Sequence, residues 1–157
     1  KIMKSKTTIE ELTKADLENL FSTALSGIKY LSVEYEGMSE DEDMCEGIIA
    51  SILLNGGSIR ITHWGADACH YGNLFYQYNE DFDVIYRVRY VDVVEGLERA
   101  ASGTFNLRKD VGEDFAKRCA EFARRSFNAF AYDESEWDYT TAECLMQIIL
   151  FNEIVYG

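Results

Sequence analysis

Val84-Ile85-Tyr86-Arg87-Val88-Arg89-Tyr90 alternates cleanly, with Tyr86, Val88 and Tyr90 on one face and Ile85, Arg87 and Arg89 on the other. A period of two marks a strand buried on one side. The aromatic segment 74–78 stands before it, and the acidic turn Asn79-Glu80-Asp81 joins the two, which predicts a hairpin. Further upstream, Ser58-Ile59-Arg60-Ile61-Thr62-His63-Trp64 reads as another strand, entered through Gly56-Gly57. Downstream the apolar spacing becomes helical over residues 91–101, and Ser102-Gly103 closes that helix.

The flanks supply more helices. Thr8 and Glu11 have capping-box spacing, and Leu12, Leu17, Leu20, Phe21, Ala24 and Leu25 recur at helical intervals up to Gly27. Residues 28–35 are β-rich. Ser39 then caps a second helix with Glu40, Asp41, Glu42 and Asp43 in its first turn, where acids complement the helix dipole. Residues 110–130 form a helix with Phe115, Cys119, Phe122 and Ala123 on one face. A last helix, capped near Thr140 or Thr141, carries Leu145, Met146, Ile148, Ile149 and Leu150. The expectation is a single compact α+β domain over residues 7–157, with about five helices around a small, mostly antiparallel sheet. Residues 1–6 are expected to be a disordered N-terminal segment or an expression remnant, with Met3 as the natural start.

The composition pairs a negative skin with an apolar interior. The chain has 157 residues, with 28 acidic against 15 basic, a net charge of −13, yet 47% are hydrophobic and 13% aromatic. That apolar content is enough to offset the entropy of ordering. The charge disfavours direct nucleic-acid or membrane partners and favours basic protein surfaces. Proline is absent, which fits glycine-based turns. Cys45, Cys69, Cys119 and Cys144 form no Cys-x-x-Cys pair, so free buried thiols in a reducing cytosol are expected.

No catalytic residue, metal-ligand set or cofactor motif emerges. The cluster with chemical range is His63-Trp64-Gly65-Ala66-Asp67-Ala68-Cys69-His70-Tyr71. Its histidines are spaced for neither a helical zinc pair nor a knuckle, and adjacent Cys69 and His70 splay apart in an extended chain. The expectation is a strand end with Trp64 packed into the core and the histidines at the rim; an enzyme using His63, Asp67, Cys69 or His70 ranks last. Arg87 and Arg89 share a strand face and suit a small anion, although cross-strand pairing with Glu34, Glu36, Glu80 or Asp83 is the plainer explanation. The acids recur in blocks along the chain. In the sharpest, Asp133, Glu134, Glu136 and Asp138 interleave with Trp137 and Tyr139, the mixture an interface anchor uses on a basic groove.

Gly56-Gly57, the strand reaching Trp64-Gly65-Ala66, and Tyr86-Arg87-Val88 leading into Val91-Asp92-Val93-Val94-Glu95-Gly96-Leu97 together resemble a group of small acidic phage and prophage proteins of unassigned function. The tail Phe151-Asn152-Glu153-Ile154-Val155-Tyr156-Gly157 is similar to theirs, and Ser58 to His63 is a longer link than theirs. The resemblance implies a mobile-element setting, in the cytoplasm of an infected host cell, and stoichiometric antagonism of host defence of the anti-CRISPR kind. The leading expectation is a non-enzymatic, cofactor-free protein that binds a basic host protein, such as a nucleic-acid-handling effector, by charge mimicry. Glu40, Asp41, Glu42, Asp43, Asp133, Glu134, Glu136, Trp137, Asp138 and Tyr139 would carry that contact. The alternative is a binder of small nucleotide signals using Trp64, Tyr71, Arg87 and Arg89.

Overall fold

Residues 84–89 do form a strand, and its neighbours assemble around it as the alternation requires. The computed structural model describes residues 11–25, 28–39, 44–65, 74–108, 112–126 and 139–156, with the backbone alone described at 119, 122–126 and 139–141. Strands β1 (Leu31–Glu34), β2 (Ser58–His63), β3 (Tyr76–Tyr78) and β4 (Val84–Arg89) make an antiparallel sheet in the order β1-β2-β4-β3. The register pairs Ile61 with Tyr86 and Val33, and Tyr86 with Tyr76. One face therefore collects Leu31, Val33, Ile59, Ile61, His63, Val84, Tyr86 and Val88, all buried. The predicted α+β fold with a mostly antiparallel sheet is what the chain adopts.

Among the described residues five helices build the rest: α1 (Lys14–Leu25), α2 (Glu46–Leu54), α3 (Tyr90–Ser102), α4 (Glu113–Ser126) and α5 (Tyr139–Phe151). Helix α5 is the hub. Its residues from Ala142 through Phe151, apart from half-buried Glu143, are buried, so it is enclosed around its circumference rather than along one stripe, with Gln147 as its buried polar residue. It packs against α1, α3 and α4, and its terminal Phe151 ring meets His63 and Tyr86 at 4.7 and 5.8 Å between centroids. Helix α3 reaches α5 through Gly96. A Cβ at that position would lie 2.5 Å from Ile149 Cγ1 and 2.8 Å from Ile149 Cα.

Several boundaries differ from expectation for local reasons. The capping box lies at Thr13 and Asp16, where Asp16 N donates to Thr13 Oγ1 at 3.2 Å and Thr13 N to Asp16 Oδ2 at 2.8 Å. Residues 11–13 are consequently not helical. Thr8 and Gly27 lie outside the described residues. Helix α2 begins at Glu46 behind an extended Cys45, with Glu46 as the acid of its first turn, and Glu40 to Asp43 lie outside the described residues. Tyr90 opens α3 instead of ending β4, because the Asp92 carboxylate accepts from the Arg89 backbone N at 2.8 Å and caps the helix there. Thr140 and Thr141 stand inside α5, which starts at Tyr139.

Sequence periodicity gave no warning of a second, two-stranded parallel sheet, β5 (Asn106–Leu107) with β6 (Glu153–Ile154). The amide of buried Gln147 holds the chain beyond it. Its Oε1 accepts from Val155 N and Tyr156 N, each at 2.8 Å, and its Nε2 donates to Tyr156 O at 2.9 Å. The cysteines also depart from expectation. Cys45 is free and exposed because it sits before α2 and not on its apolar face, while Cys144 is disulfide-bonded, its partner outside the described side chains. Such bonds persist in oxidising surroundings, so a reducing compartment no longer follows from the cysteines.

Substituting Gly96→Ala is expected to lower stability by about 1–3 kcal/mol, since α3 must move off a backbone that cannot yield. A denaturant titration checks this: the midpoint falls while the slope is unchanged.

Candidate functional site

The hairpin joining β3 to β4 is the most highly specified turn among the described residues, and it displays what most domains bury. Asn79 organises it. Its Oδ1 accepts from Asp81 N and Asp83 N, both at 2.9 Å, and its backbone N donates to Asp83 O at 3.0 Å. Phe82 N in turn donates to Asn79 O at 3.1 Å. The buried Asp83 carboxylate accepts from Asn79 Nδ2 at 3.2 Å and Gly65 N at 3.1 Å, fastening the tip to the end of β2. This net holds Phe82 at φ 63°, a left-handed conformation rarely adopted by a bulky residue.

Phe82 is 79% exposed, and Phe75 (68%) and Tyr78 (54%) are exposed on the same hairpin. Tyr76 and Tyr78 meet edge to face at 5.6 Å. Glu80 and Asp81, both exposed, precede Phe82 in the tip. Strand β3 is an edge of the sheet and has three residues, so its outer backbone groups face away from any partner strand. An exposed ring beside two carboxylates at the tip of an edge hairpin has the makings of a protein-docking anchor. Sequence reasoning read Asn79-Glu80-Asp81 as a turn and missed Phe82. Its signal was an aromatic placed directly after an Asn-initiated acidic turn.

The expected site residues scatter. Glu40, Asp41, Glu42, Asp43, Asp133, Glu134, Glu136, Trp137 and Asp138 lie outside the described residues, as do Asp67, Cys69, His70 and Tyr71. Tyr139 opens α5. Trp64 and His63 exchange the places expected for them: Trp64 is 44% exposed and His63 is fully buried. The pleat explains this, because His63 shares the face of Ile59 and Ile61 while Trp64 falls on the face of Arg60 and Thr62. His63 sits among Tyr30, Phe151 and Tyr156, with its Nε2 2.9 Å from the Tyr156 hydroxyl. Tyr30 donates onward to Glu143 Oε1 at 2.5 Å. His63 is thus a core histidine held by one hydrogen bond and by aromatic packing, and no group of three or more His, Cys, Asp or Glu among the described residues is placed to hold a metal.

Arg89 is also engaged. Its guanidinium donates to both Asp92 oxygens, at 3.1 and 3.2 Å, and this hydrogen bond pushes its pKa above the usual arginine value. Neither Arg87 nor Arg89 pairs with the acids expected across the sheet; Arg87 Nε reaches Ser58 Oγ at 3.4 Å, and it is Arg60 that meets Glu34. No helix among the described residues is long and apolar enough to cross a membrane. No protein-family model, curated protein or solved structure matches the chain.

Two substitutions separate the scaffold of the hairpin from its display. Asp83→Ala removes a charged acceptor from two donors and is expected to cost about 1.5–3 kcal/mol. Phe82→Gly relieves a left-handed residue, worth about 1–2 kcal/mol, against the roughly 0.4–1 kcal/mol that glycine's freedom gives the unfolded chain. Thermal melts should show the first variant clearly less stable and the second at least as stable as the parent.

Proposed function

We propose that this is a non-enzymatic binding protein that docks onto a basic protein surface through the β3–β4 hairpin. The observation that supports it best is Phe82, a bulky ring kept exposed in a left-handed conformation by a dense hydrogen-bond net, directly after two carboxylates. Strain of that kind persists where the surroundings enforce it, and it clusters at sites of contact. Phe82 is the inserted anchor, and Phe75 and Tyr78 widen the contact. Glu80 and Asp81 pair with the partner's cations. The net charge of −13 steers encounter and makes it dependent on salt.

The acidic blocks at Glu40 to Asp43 and Asp133 to Asp138 belong to this reading as further negative charge. In this reading the basic partner is of the kind that holds nucleic acid, and the setting is the one the phage resemblance implies, an anti-CRISPR antagonist inside an infected cell. No catalytic step is assigned to any residue.

Tagged protein incubated with host lysate should capture a basic partner at low salt and release it at about 0.5 M, where the screening length falls to a few ångströms. Phe82→Gly should abolish capture without loss of fold, and Glu80→Lys with Asp81→Lys should do the same. A partner retained by Phe82→Gly, or held undiminished at high salt, would overturn the proposal.

A further inference from the structure

On the face of the sheet away from the core, Arg60 of β2 stands directly opposite Arg87 of β4. Both are exposed. Like charges in register across an antiparallel pair repel, and here they meet in a chain with almost twice as many acids as bases. Among the described residues the pair is poorly answered. Glu34 Oε2 lies 3.7 Å from Arg60 Nη2, both side chains largely in solvent, and Arg87 makes the long contact to Ser58.

Two further features share this neighbourhood. A cavity of about 390 Å³ opens beside Arg60, lined by Ser32, Glu34, Tyr35, Met38 and Ser39 among others. Tyr35 is 4% exposed, yet its hydroxyl finds no hydrogen-bond partner among the described residues. A buried hydroxyl left so costs stability. Trp64 lies on the same face, its indole Nε1–H fixed on Ser32 Oγ at 2.9 Å, so a flat ring is held half open at the edge of the same patch.

We propose that this face binds a nucleoside phosphate, independently of the hairpin. The phosphate sits between the guanidinium groups of Arg60 and Arg87, whose planar forks match its oxygens and whose mutual repulsion it cancels. The base stacks on Trp64, as bases do on exposed aromatics. A single nucleotide fits better than a strand of nucleic acid, because a long polyanion runs on into the negative field of the remaining surface. A lone phosphate responds to charges within a Debye length, about 8 Å at physiological salt.

Calorimetric titration of the full chain with ribonucleoside monophosphates, inorganic phosphate, unphosphorylated nucleosides and a short oligonucleotide tests this. At least one monophosphate should bind about tenfold more tightly than phosphate or its own nucleoside. Arg60→Ala, Arg87→Ala and Trp64→Ala should each weaken it about tenfold. Arg87→Ala and Tyr35→Phe should also raise the melting temperature of the free protein, the first by relieving repulsion and the second by removing the unpartnered hydroxyl, which shows that lost binding is not lost folding. The proposal is overturned if no monophosphate binds at millimolar concentration, if phosphate alone binds as well, if the oligonucleotide is preferred, or if both arginine variants bind like the parent.

Discussion

The fold depends on the contact between Gly96 and Ile149. Helix α5 is buried on nearly every side, so the elements around it must come within packing distance of a helix with no polar face to leave exposed. Where α3 crosses it, the absent Cβ lets backbone approach backbone. That crossing fixes more than two helices. Because β4 runs into α3 at Arg89 and Tyr90, seating α3 also sets where the central strand of the sheet lies over Phe151. The Asp92 carboxylate holds the corner, bonding the Arg89 backbone and guanidinium together.

From that frame the two ends of β4 acquire opposite characters. At its start the sheet closes in an aromatic, acid-flanked hairpin; toward its end the outward face turns basic at Arg87 and Arg89, with Arg60 opposite. A chain with a net charge of −13 thus concentrates positive charge on one short stretch of sheet. Uniform negative charge would serve solubility equally well, so the segregation is the informative feature. It separates a surface suited to a basic macromolecule from one suited to a small anion, with the pleat of a single strand as the divider.

Much of this was legible from residue order. The alternation at 84–89 sets strand and face at once, and the glycine stops after α2 and α3 are local chemistry: Gly56 and Gly103 both have positive φ, as expected of residues that end a helix. The inversion of Trp64 and His63 was also within reach, because Ile59, Ile61 and His63 share parity; assuming that the larger ring goes inward overrode it. Other features were not legible. The capping box at Thr13 competes with an equally good pattern at Thr8, and only packing of Leu12 and of its backbone N, which donates to the Tyr90 hydroxyl at 2.9 Å, decides between them. The φ of Phe82 follows from bonds to Asn79 and Asp83 that propensity does not encode. The β5–β6 pair joins segments 47 residues apart, Asn106 to Glu153, beyond the range of any local periodicity.

That long-range pairing has a consequence for how the domain comes into being. Strand β5 has no partner, and His63 no complete cage, until Phe151, Ile154 and Tyr156 have been synthesised. During translation the inner face of the sheet, with Tyr86 and His63 at its centre, therefore stands uncovered while α4 and α5 are still being made. The nascent chain carries its own repellent through this interval, because its acids are spread along its whole length. Such like charges repel within a Debye length, about 8 Å at physiological salt, and so act where two chains come into close approach.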